Sequence, residues 1–278
     1  VPPPSWVILP ADLSDLAAWV RRLRYARAEV LVEAVSLAEA VAAAELGPDA
    51  LILKGHEAGG RVGADPAFVL VQKWRKHADA AGEPRLPFWV RGGIGPNTAA
   101  ACRAAGAAGV VLDSQLLTCR ESPASDELRK RVAGSDGSET SVVGERLGAA
   151  YRFYSRADSP AFAELAAEEE RLLAADRPAA EKLAAWRAAV AAKVADDPAR
   201  GAWPVGQDFA LGVGLAAKVL TVAGVVQAVA ERAGKQVETA ARLKPLAEGG
   251  PLAKSHGTAF PVLQGPMTRV SDTAAFAD

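Results

Sequence analysis

The sequence has few of the residues that mark disulfide-rich, metal-binding or nucleic-acid-binding proteins. It contains 2 cysteines, 3 histidines and 1 methionine among 278 residues. The two cysteines, Cys102 and Cys119, are too few for a disulfide framework or a zinc site, so we expect no metal. A net charge of −1 provides no basic surface for nucleic acid or an anionic membrane. These absences favour a reduced, cytoplasmic protein with neither nucleic-acid nor membrane partners.

Long hydrophobic runs and a leader sequence are also missing. No stretch reaches the ~18 uninterrupted apolar residues of a transmembrane helix. The chain starts with Val1-Pro2-Pro3-Pro4, which has neither methionine nor a basic region. We therefore expect no signal peptide, and a chain processed or excised from a longer protein.

Strand and helix patterns alternate over the first part of the chain. Continuous apolar strands separated by helices predict a parallel sheet covered by helices. A doubly wound sheet and a closed barrel both fit this pattern. The predicted strands are Ser5–Pro10, Glu29–Val35, Ala50–Lys54, Pro87–Arg91 and Gly109–Leu112.

The composition changes after these strands. Residues 122–150 are rich in serine, glycine and charge and predict a loop region, and Tyr151–Tyr154 predicts an edge strand. Residues 160–245 have helical periodicity interrupted by prolines, with a long helix from Phe209 to Ala233. The last apolar run, Phe260–Leu263, predicts another strand.

Glycine-rich segments follow the predicted strands at Gly55–Gly63, Gly92–Gly95 and Gly106–Gly109. Ligands of α/β sheets and barrels bind at the carboxyl ends of strands, where glycines let the backbone approach a phosphate. The first segment also holds His56 and Arg61, so it is a candidate catalytic loop. A surface loop with a Glu57–Arg61 ion pair and tight turns without a ligand are the alternatives.

Three motifs occur in a fixed order over residues 5–122. They are Leu51-Ile52-Leu53-Lys54-Gly55-His56-Glu57-Ala58-Gly59-Gly60, then Phe88-Trp89-Val90-Arg91-Gly92-Gly93-Ile94, then Gly106-Ala107-Ala108-Gly109-Val110-Val111-Leu112-Asp113-Ser114-Gln115. This combination resembles the nitronate monooxygenases (2-nitropropane dioxygenase type) and the flavin enoyl reductases. Their pattern is G-x-E-A-G-G-H, A-G-G-I and G-A-x-G-V. The resemblance implies a (β/α) TIM-barrel-type α/β fold, FMN as cofactor and an oxidoreductase activity.

The resemblance also implies roles for individual residues. Ala58, Gly59 and Gly60 would flank the isoalloxazine ring of FMN, and Arg61 would stabilise developing negative charge. The candidate catalytic residues are His56, Glu57 and Arg61. The residues implied around the phosphate are Gly92, Gly93, Ile94, Gly95, Asp113 and Ser114.

Two departures from the family pattern keep a second hypothesis open. Arg61 stands where the family has its proposed catalytic histidine, and Asp113 replaces a glycine of the phosphate loop. A carboxylate beside a phosphate is unfavourable unless it points away or binds a cation. A catalytically degenerate barrel acting as a structural or docking platform is therefore the alternative to an FMN enzyme. A barrel that binds a phosphate ester without flavin is a third possibility.

The tail resembles the beginning of a barrel of the same family. Phe260 to Met267 reads F-P-V-L-Q-G-P-M, similar to the first strand and flavin-facing loop of these enzymes, P-I-x-Q-G-P-M. The resemblance adds Gln264, Gly265, Pro266 and Met267 to the cofactor-binding residues. A permuted barrel would explain this order, and so would a tandem arrangement, which we expect.

These patterns predict three segments. Residues 1–150 form an incomplete or permuted flavin-barrel-like domain, 151–255 a helical extension, and 256–278 the start of a following barrel or a strand-swapped tail. Paired barrels of this kind resemble the start of large bacterial polyketide or fatty-acid synthases. The resemblance implies the other domains of such a synthase, and an acyl substrate on a carrier protein, as partners.

Overall fold

A computed structural model describes residues 5–81 and 86–263 of the chain. Two compact units are present, residues 1–234 and residues 235–278. The elements in chain order are β1 (Trp6–Pro10), α1 (Leu16–Tyr25), β2 (Glu29–Ala34), α2 (Leu37–Ala44), β3 (Ala50–Lys54), β4 (Gly60–Val62), α3 (Ala67–Ala81), β5 (Phe88–Arg91), α4 (Pro96–Ala104), β6 (Gly109–Val111), α5 (Asp126–Ala133), β7 (Thr140–Val143), β8 (Ala150–Tyr154), α6 (Pro160–Ala174), α7 (Ala179–Lys193), α8 (Phe209–Val219), α9 (Val222–Leu243) and α10 (Pro251–His256).

The main sheet has five parallel strands in the order β1-β2-β3-β5-β6, which is their order along the chain. Right-handed crossovers that always step in one direction place their helices on the same face of the sheet. A doubly wound sheet instead reverses its order at a switch point. The singly wound order confirms the predicted α/β fold of barrel type. Among the described strands, β1 and β6 are not hydrogen-bonded to each other.

The two faces of this sheet differ in chemistry. One face is packed against helices and is apolar throughout, with Val30, Leu51 and Val90 each 0% exposed. Leu31 and Ile52 are buried on the opposite, inner face. Because side chains alternate along a strand, that face also receives the last residues of several strands. There it becomes charged, with Glu33, Lys54 and Arg91.

A second, antiparallel sheet has the order β4-β8-β7. It corrects two predictions. Residues 122–150 contain α5 and β7 rather than loop alone, and Tyr151–Tyr154 lies in the central strand of this sheet, not at an edge. The charged sequence of α5 concealed a short amphipathic helix whose Leu128 is buried. The pairing of β7 depends on partners outside its own sequence, which local composition does not reveal.

Helices dominate residues 160–245, as the periodicity predicted. Helices α6 and α7 pack around Trp186, which is fully buried and donates from Nε1 to the carbonyl of Ala149 at 2.7 Å. The predicted long helix is interrupted, because Leu220 adopts a φ of 58° between α8 and α9. No helix in the described ranges is long and apolar enough to span a membrane.

The second unit contains α10, whose Ala253 is buried. The prediction of a strand at Phe260–Leu263 was wrong for the chain as described, since these residues have no strand assignment. Proline at position 261 and the absence of a neighbouring strand in the described part of this unit account for the difference. Gln264, Gly265, Pro266 and Met267 lie outside the described residues.

Candidate functional site

The carboxyl ends of β2, β3 and β5 bring together four charged side chains, which we call the ionic cluster: Glu33, Lys54, Arg91 and Asp113. Lys54 Nζ lies 3.1 Å from Glu33 Oε1, and Arg91 Nη1 lies 2.5 Å from Glu33 Oε2. Arg91 also pairs with Asp113, beyond the end of β6. The cluster therefore lies at the strand ends that Gly55–Gly63 and Gly92–Gly95 follow. Gly106–Gly109 instead leads from α4 into β6, at the amino end of that strand.

Burial and neighbouring charge oppose each other in the ionic cluster. Burial works against the charge of Glu33, but Lys54 and Arg91 outweigh it and leave the pKa of Glu33 lowered. Burial dominates for Lys54, whose side chain is 4% exposed, and lowers its pKa despite the adjacent Glu33. Arg91 Nε is buried and has no hydrogen-bond partner among the described residues. The cluster thus keeps one unsatisfied donor.

The three predicted catalytic residues point to different partners. His56 Nδ1 lies 2.7 Å from the carbonyl oxygen of Gly63. The Glu57 carboxylate accepts from the N–H of Ala67 at 3.0 Å, at the start of α3. Both contacts hold the glycine-rich loop in shape.

Arg61 contacts carboxylates that follow β1 and β2. Its Nε lies 3.0 Å from Asp12 Oδ2, and its guanidinium also pairs with Glu39 on α2. The alternative ion pair between Glu57 and Arg61 is therefore wrong, because each side chain has another partner. The structure does not bring His56, Glu57 and Arg61 together as one side-chain group.

Residues 203–208, which we call the cover segment, lie across the first glycine-rich loop. The N–H of Gln207 donates to the carbonyl of Glu57 at 2.8 Å, and the N–H of Gly206 donates to Ser114 Oγ at 3.1 Å. A Cβ on Gly59 would lie 2.6 Å from the carbonyl oxygen of Pro204. The glycine at position 59 therefore permits close approach by the protein's own backbone.

Asp208, the last residue of the cover segment, lies on the second glycine-rich loop. Its Oδ2 accepts from the N–H of Ile94 at 3.4 Å and from Gln115 Nε2 at 2.7 Å. Burial, then the charge of Asp113, raises the pKa of Asp208 to about 6, while backbone N–H groups including that of Gly93 lower it. A buried carboxylate thus accepts from the N–H of Ile94, on the loop that the resemblance assigned to a phosphate.

Most predicted cofactor-binding residues lie close together. A Cβ on Gly92 would lie 3.1 Å from the nitrogen of Ala58, and one on Gly93 would lie 3.8 Å from Glu57 Cβ. Gly95 is the N-cap residue of α4, and its N–H donates to Thr98 Oγ1 at 2.6 Å. Gly59, Gly60, Ile94 and Ser114 belong to the same region through the contacts of the cover segment and Asp208.

Sequence reasoning missed Asp208 and Gln115 as site residues. A Gly-Gln-Asp run before an apolar helix is typical of a helix cap, so the local sequence predicts a capping role for Asp208. Gln115 accepts from the N–H of Asp113 and donates to the carbonyl of Ile94, both at 2.8 Å. The signal in the sequence was Asp208 itself, an acidic residue at the start of an apolar helix. The sequence alone does not show that Asp208 contacts the loop at Ile94.

A separate cavity of about 630 Å³ lies between β6, α4 and α9. Its lining is mostly apolar and includes Val110, Leu116 and Val229, with Arg103 as a charged member. None of the predicted site residues in the described part of the chain lines it. The strand ends, and not this cavity, carry the polar chemistry.

Comparison with known proteins identifies the family. The nitronate monooxygenase family model matches residues 7–231. Nitronate monooxygenase npaC of Metarhizium robertsii is 32% identical over 144 residues, which cover 49% of this chain and 40% of that protein. The chain thus spans well under half the length of this curated relative.

Solved structures show the same fold. FabK from Thermotoga maritima superposes with a TM-score of 0.65 at 24% identity, covering 85% of this chain and 70% of that chain. Nitroalkane oxidase from Streptomyces ansochromogenes gives 0.59 at 25% identity, covering 86% and 66%. Because the family match extends over most of the chain and includes the ionic cluster, both glycine-rich loops and the cover segment, this chain belongs to the nitronate monooxygenase family.

Proposed function

We propose that this chain is a catalytically degenerate flavin barrel that serves as a structural and docking platform within a larger protein of polyketide or fatty-acid synthase type. The observation that carries the proposal is the cover segment with Asp208. These residues bond to the loops at which the family pattern implies FMN. The side chains that could act on a substrate are engaged in contacts that hold the loops in place.

The residues present do not fit FMN in this arrangement. A phosphate needs free N–H donors at the loop before α4, but the N–H of Ile94 donates to Asp208 and that of Gly95 to Thr98. A flat ring beside Gly59 would meet the backbone of Pro204 to Gly206. Binding of FMN would require the cover segment to move.

The exposed edge strand β1 supports a docking role, and so does the synthase context that the sequence predicts. Trp6 and Ile8 of β1 are 53% and 55% exposed on the inner face of the sheet. We expect other domains of the same synthase to cover this surface, and an acyl group on a carrier protein to be handled elsewhere in the assembly. The enoyl reductase domain of MlnA, from the macrolactin biosynthesis cluster of Bacillus amyloliquefaciens, has the same fold at a TM-score of 0.58 and 9% identity.

Flavin binding tests the proposal directly. The purified chain is mixed with FMN, passed through a desalting column and examined for flavin absorbance. We expect a colourless protein, because the phosphate donors are occupied. Retention of FMN at one equivalent per chain would overturn the platform proposal, and the same protein unfolded in urea controls for non-specific retention.

An FMN-dependent oxidoreductase of the nitronate monooxygenase or enoyl reductase type is the second candidate. The observation in its favour is the buried, unsatisfied Arg91 Nε beside Lys54, since unmet donors of this kind suit a ligand. FMN would supply the redox chemistry when bound. Flavin-dependent oxidation of a nitronate, or reduction of an enoyl thioester, by the chain with added FMN would favour this candidate.

A further inference from the structure

Asp208 differs from Glu33 by its partners. Its residue is 4% exposed, and no ion pair of the described residues includes it. Its carboxylate is met by hydrogen-bond donors instead, from the backbone of Ile94 and the amide of Gln115. An isolated buried carboxylate is costly unless its donors are fixed in place.

The donors around Asp208 are fixed by other contacts. Gln115 Oε1 accepts from the N–H of Asp113, which orients the amide so that Nε2 faces the carbonyl of Ile94 and Asp208. Thr98 Oγ1 donates to the carbonyl of Gly93 at 2.9 Å and anchors the loop from the other side. The loop therefore presents donors in one place whether or not a carboxylate is there.

The position of Asp208 is set by the cover segment. A Cβ on Gly206 would lie 2.6 Å from Asp208 Oδ1 and 2.8 Å from the carbonyl oxygen of Glu57. Glycine at position 206 therefore lets the cover segment lie close enough to the loop for the Asp208 carboxylate to reach its donors. The chain supplies its own anion to a loop that begins an α-helix of nine residues, α4.

We propose that Asp208 is a built-in occupant of an oxyanion site formed by the loop Gly93–Ile94 and the Gln115 amide, and that this carboxylate is what excludes a phosphate group. The inference rests on the platform proposal and extends it, because it names the residue responsible. It predicts that truncation of this side chain opens the site to inorganic phosphate. The donors would then be left without an acceptor until phosphate binds.

The test uses Asp208→Ala and Asp208→Ser in the whole chain. Thermal unfolding is measured in increasing inorganic phosphate, with potassium chloride added to keep the ionic strength equal. For both variants we expect the midpoint to rise by about 2–3 °C for each tenfold increase in phosphate above its dissociation constant. Wild type should not respond, because Asp208 holds the donors.

Two control variants separate emptying of the site from other effects. Asp208→Asn keeps the side-chain volume and one acceptor oxygen, so it should not respond to phosphate. Asp196→Ala removes a carboxylate that is 78% exposed, and it should also behave as wild type. A variant that folds only in phosphate supports the proposal as well as a shifted midpoint does.

The contrary results are distinct. If neither Asp208→Ala nor Asp208→Ser responds to phosphate, or if both remain unfolded in it, Asp208 is not the excluding group, even when wild type binds no FMN. If wild type itself retains FMN, the platform proposal fails whatever the variants do. Titration of Asp208→Ala with FMN then shows whether the variant admits only the phosphate group or the isoalloxazine ring as well. If FMN binds at least as tightly as inorganic phosphate, the space for the ring is open too.

Discussion

Half-buried Glu33 and buried Asp208, two carboxylates at the strand ends, are held in opposite ways. Glu33 lies between two cations, Lys54 and Arg91, and its pKa is lowered. Asp208 lies among backbone and amide donors, and its pKa is raised to about 6. The Glu33 carboxylate neutralises the positive charges of Lys54 and Arg91, which lie on neighbouring strands. The Asp208 carboxylate adds a negative charge to a loop whose hydrogen-bond donors are neutral.

The two arrangements have different roles, one in the fold and one at a place where a ligand could bind. A cluster whose charges balance is part of the fold, since removal of one member leaves the others uncompensated. A lone anion on a donor loop fills a place that a ligand group could also fill.

The largest effect is expected for Glu33→Gln. It leaves Lys54 and Arg91 buried with Asp113 as the remaining counter-charge, so the free energy of unfolding should fall by about 3–5 kcal/mol. Urea denaturation measures the change. Glu29→Gln, an exposed position in the same strand, is the matched control and should stay within about 0.5 kcal/mol of wild type. A Glu33 variant as stable as this control would show that the cluster does not need its central carboxylate.

The second prediction concerns the pH dependence of Asp208. Its pKa is higher in the folded chain than the ordinary 3.8, so folding binds a proton and stability falls as the pH rises from about 4 to about 6. Asp113 adds to this effect, and Arg152, whose own pKa is lowered chiefly by burial, opposes it. The stability of Asp208→Asn relative to wild type should therefore increase by about 2 kcal/mol between pH 4 and pH 7.

Glu33 provides the opposite sign in the same experiment. Because its pKa is lowered on folding, its stabilisation is present above the ordinary value of 4.5 and is lost as the pH falls below it. The stability difference between wild type and Glu33→Gln should shrink in acid. Urea unfolding at a series of pH values gives both curves. Parallel curves for the two variants would contradict the contrast between the carboxylates.

Gly59→Ala tests the close approach of the cover segment. The new Cβ would lie 2.6 to 2.8 Å from backbone atoms of Pro204, Val205 and Gly206, which cannot move as freely as a side chain. We expect a loss of about 1–3 kcal/mol in the free energy of unfolding. Gly214→Ala is the control, since nothing lies within 4 Å of its Cβ position on α8, and it should be neutral or stabilising.

The sequence predicted the fold further than it predicted the site. The five parallel strands followed from apolar runs, because local composition determines which segments are buried on both sides. The three glycine motifs predicted which strand ends meet. The partner of the loop at Gly93 and Ile94 could not be predicted, because Asp208 follows it by more than a hundred residues and nothing local specifies that contact.

Arg61 is a second residue whose contacts could not be predicted from the sequence. A family pattern places a residue on a loop but does not fix the direction of its side chain. Arg61 points to Asp12 and Glu39, neither of which belongs to any of the motifs. Its proposed part in catalysis stays a prediction, and its structural contacts can be tested separately.

Arg61→Lys should give the smallest effect. Arg61 uses Nε and both terminal nitrogens on two carboxylates, whereas lysine offers a single ammonium group. The side chain is 18% exposed, so the pairs are worth more than fully exposed ones, and a loss of about 1 kcal/mol is expected. Arg146→Lys, whose pair with Glu170 is more than 60% exposed on both sides, should change nothing measurable. If Arg61→Lys leaves stability unchanged but alters retention of FMN by the chain, Arg61 serves the ligand site. Arg61 would then belong with the charges that act on a ligand, and not with those that stabilise the fold.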